Sequence, residues 1–227
     1  MAHPPSRSSE LPFSTFLKTC QSNVPRKHLK LDFKEIEAVE PCLKMLKDHP
    51  AIEGQGIYLN ADVLPGPGNR GSPPTCDAST FLSTVLKHTP VPCLSLGFSC
   101  HVARTSNPLG TYLPSDVTSM ISLCEQYDLS EKSAGIVFAL NLRIAMKDLN
   151  TVKGLLAVPN SQILFWTGTG EPSVHKSYLE WVETEMEEFK GRVAFDCKIA
   201  ETSLEGYKNE FLIKLINTIN RFRGLGL

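Results

Sequence analysis

The sequence predicts an α/β chain folded as an incomplete (β/α) barrel of the TIM type, with six strand–helix units. Three observations carry this expectation. Strand and helix patterns alternate six times along 227 residues. The spacing leaves room only for crossover connections, which make neighbouring strands parallel and the crossovers right-handed. Polar residues also stand inside the strands: Asp32, Asn60, Asp62 and Asp196. An open doubly wound sheet and a barrel both satisfy the alternation. The polar positions favour a barrel mouth, where charged side chains converge, because doubly wound strands read as unbroken apolar runs. A closed barrel has eight units, so two are expected to be missing.

The elements follow from periodicity. Residues 1–9 are rich in Pro and Ser and predict no regular element. A short helix is expected over 11–21. In the stretch His28-Leu29-Lys30-Leu31-Asp32-Phe33-Lys34, apolar and polar residues alternate, which predicts a strand over 29–33. Ile36, Val39, Leu43 and Leu46 then mark one face of a helix over 34–48, with Pro41 expected to kink it. Strands are expected over 57–63, 93–98, 135–140, 163–167 and 193–197. The helices between and after them are expected over 77–88, 115–127, 144–156, 173–190 and 204–221.

Composition excludes several classes of function. With 41% hydrophobic residues, 21% charged residues and a net charge of −1, the chain reads as globular and lacks the basic face of a nucleic-acid binder. No stretch approaches the roughly 18–20 apolar residues of a membrane span. The N-terminal residues carry no apolar signal-peptide core, so the chain as written is expected to stay in the cytoplasm. The seven cysteines are odd in number and show no CxxC pairing, which argues against a structural zinc site.

Few motifs carry chemistry by themselves. Gly66-Pro67-Gly68-Asn69-Arg70-Gly71 has the letters of a dinucleotide fingerprint, but Pro73 and Pro74 separate it from the next helix, so it reads as a loop. Ser95 and Cys100 have no evident base partner, which speaks against a nucleophilic hydrolase. The acids on strands are the better signal: with Lys30 and Arg143 they could face one cavity, or else form buried ion pairs and helix caps. Trp166 ends a strand and could wall a pocket or simply pack.

Specific stretches resemble the menorin family. They are Met1-Ala2-His3-Pro4-Pro5, Leu29-Lys30-Leu31-Asp32-Phe33-Lys34 and Leu59-Asn60-Ala61-Asp62-Val63-Leu64-Pro65-Gly66-Pro67, followed by Leu94-Ser95-Leu96-Gly97, Leu164-Phe165-Trp166-Thr167-Gly168 and Asp196. They run in order through almost the whole chain. The family is similar in fold to the glycerophosphodiester phosphodiesterases, metal-dependent TIM barrels. The resemblance implies one menorin-like barrel domain over 1–227. It makes His3 the match of a catalytic histidine, a general acid for the leaving alcohol. Asp32 matches a ligand of a divalent metal (Mg or Ca), and Lys34 the lysine of the same motif. Lys30, Asn60, Asp62, Arg143, Trp166 and Asp196 fall at cavity or substrate positions.

The resemblance also implies a departure. In relatives the stretch like Met-Ala-His-Pro-Pro is internal and follows the second strand, so the first two βα units, with one catalytic histidine and two metal-binding acids, are expected to be absent. The chain as given is then expected to be an inactive fragment or shortened isoform that holds no metal tightly. The full-length form is expected to be secreted. The rival expectation is a non-catalytic extracellular scaffold that binds adhesion or receptor proteins in neuronal or tissue patterning.

Overall fold

The computed structural model describes residues 6, 8–22, 28–48, 56–102 and 108–200. The elements in order are α1 (Phe13–Ser22), β1 (Leu29–Phe33), a 3-10 turn (Ile36–Ala38), α2 (Val39–Lys47), β2 (Ile57–Pro65), α3 (Ala78–Val85) and β3 (Cys93–Ser99). There follow α4 (Pro114–Gln126), α5 (Leu129–Lys132), β4 (Ile136–Asn141), α6 (Leu142–Ala145), α7 (Leu149–Lys153) and a 3-10 turn (Gly154–Ala157). The last are β5 (Ser161–Trp166), β6 (Val174–His175), α8 (Lys176–Glu185), a 3-10 turn (Glu187–Phe189), β7 (Val193–Asp196) and β8 (Ile199–Ala200).

Six strands form one sheet in the order β1-β2-β3-β4-β5-β7, and every pairing is parallel. Each of these strands lies beside the next one in the chain. A doubly wound sheet would reverse its order at a switch point, and no reversal occurs. Right-handed crossovers in a sequential order put the helices on one face, so the sheet curls into a half-barrel with the other face concave.

The two faces can be read from the sequence pleat. Leu31 and Phe33, Leu59, Ala61 and Val63, Leu94, Leu96 and Phe98, Ile136, Phe138 and Leu140, and Ile163 and Phe165 all join one core cluster. The helices complete that cluster with Leu43, Phe81, Leu82, Met120, Val152 and Val182. Residues of opposite parity, such as Asp32, Asn60 and Ser95, share the concave face. Leu17 and Leu29 form a smaller cluster where α1 covers the start of β1.

Several boundaries differ from expectation for identifiable reasons. Pro41 falls in the first turn of α2, where no N–H is needed, so the helix starts late and accommodates it. The helix expected over 144–156 is broken in two, because Asn141 caps α6 by accepting from Ile144 N–H and Asp148 caps α7 by accepting from Thr151 N–H. The start of the helix expected over 173–190 is taken by β6, which pairs with β8 in a second, two-stranded sheet. The helix expected over 204–221 lies outside the described residues. Among the described residues no helix is long and apolar enough to cross a membrane.

Because Phe138 is fully buried in the central strand β4, Phe138→Ala should lower stability by about 3–5 kcal/mol. Ala194→Ser on the exposed concave side of β7 should stay within about 0.5 kcal/mol. Urea denaturation of the two variants measures both.

Candidate functional site

The concave face carries its polar groups on β1, β2 and β3. Asp32, Asn60 and Ser95 lie in one register row, and hydrogen bonds run along it. The Ser95 hydroxyl donates to Asn60 Oδ1 at 2.6 Å, and Asn60 Nδ2 donates to Asp32 Oδ1 at 2.7 Å. Lys34, one residue beyond β1, places its Nζ 3.0 Å from Asp32 Oδ2 and 3.8 Å from Asp62 Oδ2. Asp62 lies in the next row opposite Gly97, just before a register shift in β2. A Cβ at Gly97 would come within 2.3 Å of Asp62 Oδ1, so the glycine makes room for the carboxylate.

The charges in this group are strongly coupled. Burial pushes the Asp62 carboxyl up to about 6, Lys34 pulls it back, and Asp32 adds to the upward push. Burial draws Lys34 down, but Asp62 and Asp32 outweigh it and hold the ammonium above its ordinary range. Two nearby thiols stay protonated at neutral pH. Cys76 is pushed up to about 11 and Cys100 to about 12, in both cases by burial first, with Asp62 adding to it. A carboxyl titrating near 6 beside a persistent cation has the properties of a general acid or base.

Arg143 belongs to a different cluster. It is 5% exposed, and its Nη2 donates to the carbonyls of Pro172 and Ser173 at 2.8 and 3.1 Å. Its Nε lies 3.8 Å from Glu171 Oε1. Glu171 accepts from Asn141 Nδ2 at 2.8 Å and from the Gly168 N–H. These bonds tie the loop after β5 to the end of β4. The guanidinium is thus engaged with its own protein.

The remaining predicted residues are spread over the half-barrel. Trp166 and Asp196 are register partners at the ends of β5 and β7, with Asp196 exposed and Trp166 partly buried. Lys30 lines a cavity of about 260 Å³ on the concave face together with Tyr58, Ser95, Val137 and Leu164. His3 lies outside the described residues. The structure therefore gathers Asp32, Lys34, Asn60 and Asp62 and holds Arg143 apart. A larger cavity, about 1160 Å³, opens at the N-terminal ends of the strands and touches none of the predicted residues.

Sequence reasoning overlooked Ser95, Asn141 and Glu171. In the sequence Ser95 reads as a nucleophile without a base, whereas its place on the concave side of its strand makes it a row partner of Asn60. Glu171 sits in an irregular loop, where no period assigns a direction to a side chain. The Gly-rich loop after β2 is held by Arg70, whose Nε and Nη2 reach Asp116 at 3.3 and 2.5 Å, which agrees with its reading as a loop.

Among the described residues no three His, Cys, Asp or Glu side chains stand close enough to hold a divalent metal. Both oxygens of Asp32 are engaged, Oδ1 by Asn60 and Oδ2 by Lys34.

Two outcomes test these electrostatics. The raised Asp62 carboxyl binds more protons folded than unfolded between pH about 4 and 6, so it costs stability increasingly as pH rises through that window. Asp62→Asn should therefore gain stability relative to the parent protein across it, by at most about 3 kcal/mol. Denaturation midpoints measured from pH 4 to 8 check this. Arg143→Ala strands the buried Glu171 carboxylate and should cost about 3–5 kcal/mol, read by thermal unfolding.

Comparison with known proteins supplies the family. Human Protein FAM151B is 28% identical over 175 residues, which cover 75% of this chain and 59% of that protein. The chain thus spans about three-fifths of the length of this curated relative. Among solved structures, the arginine decarboxylase of Paramecium bursaria Chlorella virus matches with agmatine bound and without it, at TM-scores of 0.39 and 0.38. Both matches are 12% identical and cover about four-fifths of this chain (82% and 81%) and 54% of the other, a likeness too slight to inform fold or function. The model of the Menorin N-terminal domain matches residues 1–196. The chain belongs to the menorin family.

Proposed function

We propose that this chain is a phosphodiesterase-like menorin barrel that does not hydrolyse phosphodiesters by itself, and that a form of the relatives' full length is extracellular. The observation that carries this reading is Lys34, set between Asp32 and Asp62. Phosphodiester cleavage needs positive charge at the non-bridging oxygens and a proton for the leaving alcohol. Here the ammonium is spent on two carboxylates and the Arg143 guanidinium on carbonyls of its own chain. Asp62, poised near 6, is left as a group able to move a proton. A divalent ion, Mg or Ca, would need oxygen donors beyond those of the described residues. In this reading one barrel domain spans 1–227. His3 and Lys34 act on substrate only when the remaining ligands join Asp32.

A second reading is a non-catalytic barrel that binds extracellular adhesion or receptor proteins. The exposed Leu109 and Leu113, on the segment leading into α4, favour it as a surface for protein contact. The Asp32–Lys34–Asp62 group, whose charges pair within the chain, fits it equally.

Incubating this chain with bis(p-nitrophenyl) phosphate and Mg or Ca should give no release above buffer. Metal-dependent turnover that disappears in Asp32→Asn would overturn the proposal. Such turnover in a protein of the relatives' full length would favour the hydrolase over the scaffold.

A further inference from the structure

We propose that Ser95 is a positioning residue that acts through Asn60 to hold the Asp32 carboxylate in one orientation at the barrel mouth. This rests on the proposed reading of Asp32 as the acid that further ligands would join. An ionised carboxylate only accepts hydrogen bonds, so the Asn60 group 2.7 Å from Asp32 Oδ1 has to be the amide nitrogen. The amide oxygen then points the other way, at the Ser95 hydroxyl 2.6 Å distant, which donates its proton. The direction of both bonds is thus set by chemistry, and the hydroxyl fixes the amide against a flip. A flipped amide would present its oxygen to the carboxylate and repel it.

Burial makes the relay strict. Ser95 is 1% exposed and Asn60 4%, so water is a poor substitute for either partner. The Asp32 side chain, by contrast, is 40% exposed. The row therefore begins at a buried hydroxyl on β3 and ends at a carboxylate open to solvent on β1. Lys34 holds the second carboxylate oxygen. With one oxygen fixed by Asn60 and the other by Lys34, Asp32 is restrained on both sides. The hydroxyl has a full role in this row without any nucleophilic part in catalysis.

The test uses the whole chain and four variants: Ser95→Ala, Ser95→Thr, Asn60→Ala and the double Ser95→Ala/Asn60→Ala. Nuclear magnetic resonance follows the Asn60 side-chain amide, identified by its loss in Asn60→Ala, and the Asp32 carboxyl carbon at fixed pH. In Ser95→Ala the amide protons should exchange with water about tenfold faster, and the Asp32 resonance should move. Ser95→Thr keeps the hydroxyl and should restore both signals. In the Asn60→Ala background, Ser95→Ala should leave Asp32 unchanged, because an effect carried through Asn60 is not additive. An amide and carboxyl unmoved by Ser95→Ala, or an equal shift with and without Asn60, would overturn the relay. Should Ser95→Ala fail to fold, Ser95→Cys, which offers only a weak donor, serves in its place with the same expectation. Phosphodiester turnover in the same samples bears only on the hydrolase reading, so the two ideas fail separately.

Discussion

A parallel ladder, in which the six strands of the main sheet lie side by side in their chain order, is the constraint from which the other features descend. Right-handed crossovers in that order place the covering helices on one side. One face of every strand is then dry and the other lines a concavity. Leu31, Leu59, Leu94, Ile136 and Ile163 can therefore form a continuous core. The opposite parity is free to carry Asp32, Asn60 and Ser95 in one row. A sheet covered by helices on both sides would have buried the Asp32 carboxylate, which here is open to solvent.

Within the concave face, electrostatics governs what the polar groups can do. Lys34 offsets Asp32 and Asp62 together, and Asp62 still titrates near 6 because burial outweighs the ammonium. The charges of this cluster face one another, and the buried Asp62 carboxylate costs stability where it ionises. The Arg143–Glu171 pair behaves likewise at the end of β4, where it fastens the loop after β5. Menorin-family membership alone does not convert this geometry into an activity, since one fold hosts many functions. The hydrolase proposal depends on additional ligands, whereas the scaffold proposal does not.

Legibility in the sequence varied with the range of the forces involved. The β1 stretch could be read residue by residue: a period of two over five residues separates Lys30 and Asp32 from Leu29, Leu31 and Phe33, and burial alternates in the same way. The start of the helix expected at 77 was nearly as clear, and Asp77 caps α3 there by accepting from the Thr80 N–H three residues on. The split of the helix after β4 was not foreseen. It depends on Asn141 and Asp148 competing with the helix for backbone N–H groups, a local choice that apolar periodicity does not record.

The sequence by itself determined the alternation of strands and helices, the parity of each strand and therefore which residues share the concave face. Those properties follow from nearest-neighbour sterics and from the separation of apolar and polar residues at fixed periods. Only the tertiary structure decided that Arg143 meets Glu171 and the carbonyls of Pro172 and Ser173. It likewise decided that Lys34 lies between two carboxylates, and that Ser95 completes a row begun by Asp32. Apart from Lys34 and Asp32, which are near neighbours, these partners are 28 to 35 residues apart in the chain. Their meeting depends on strand register and on the direction of side chains in irregular loops, and neither quantity leaves a periodic trace in the sequence.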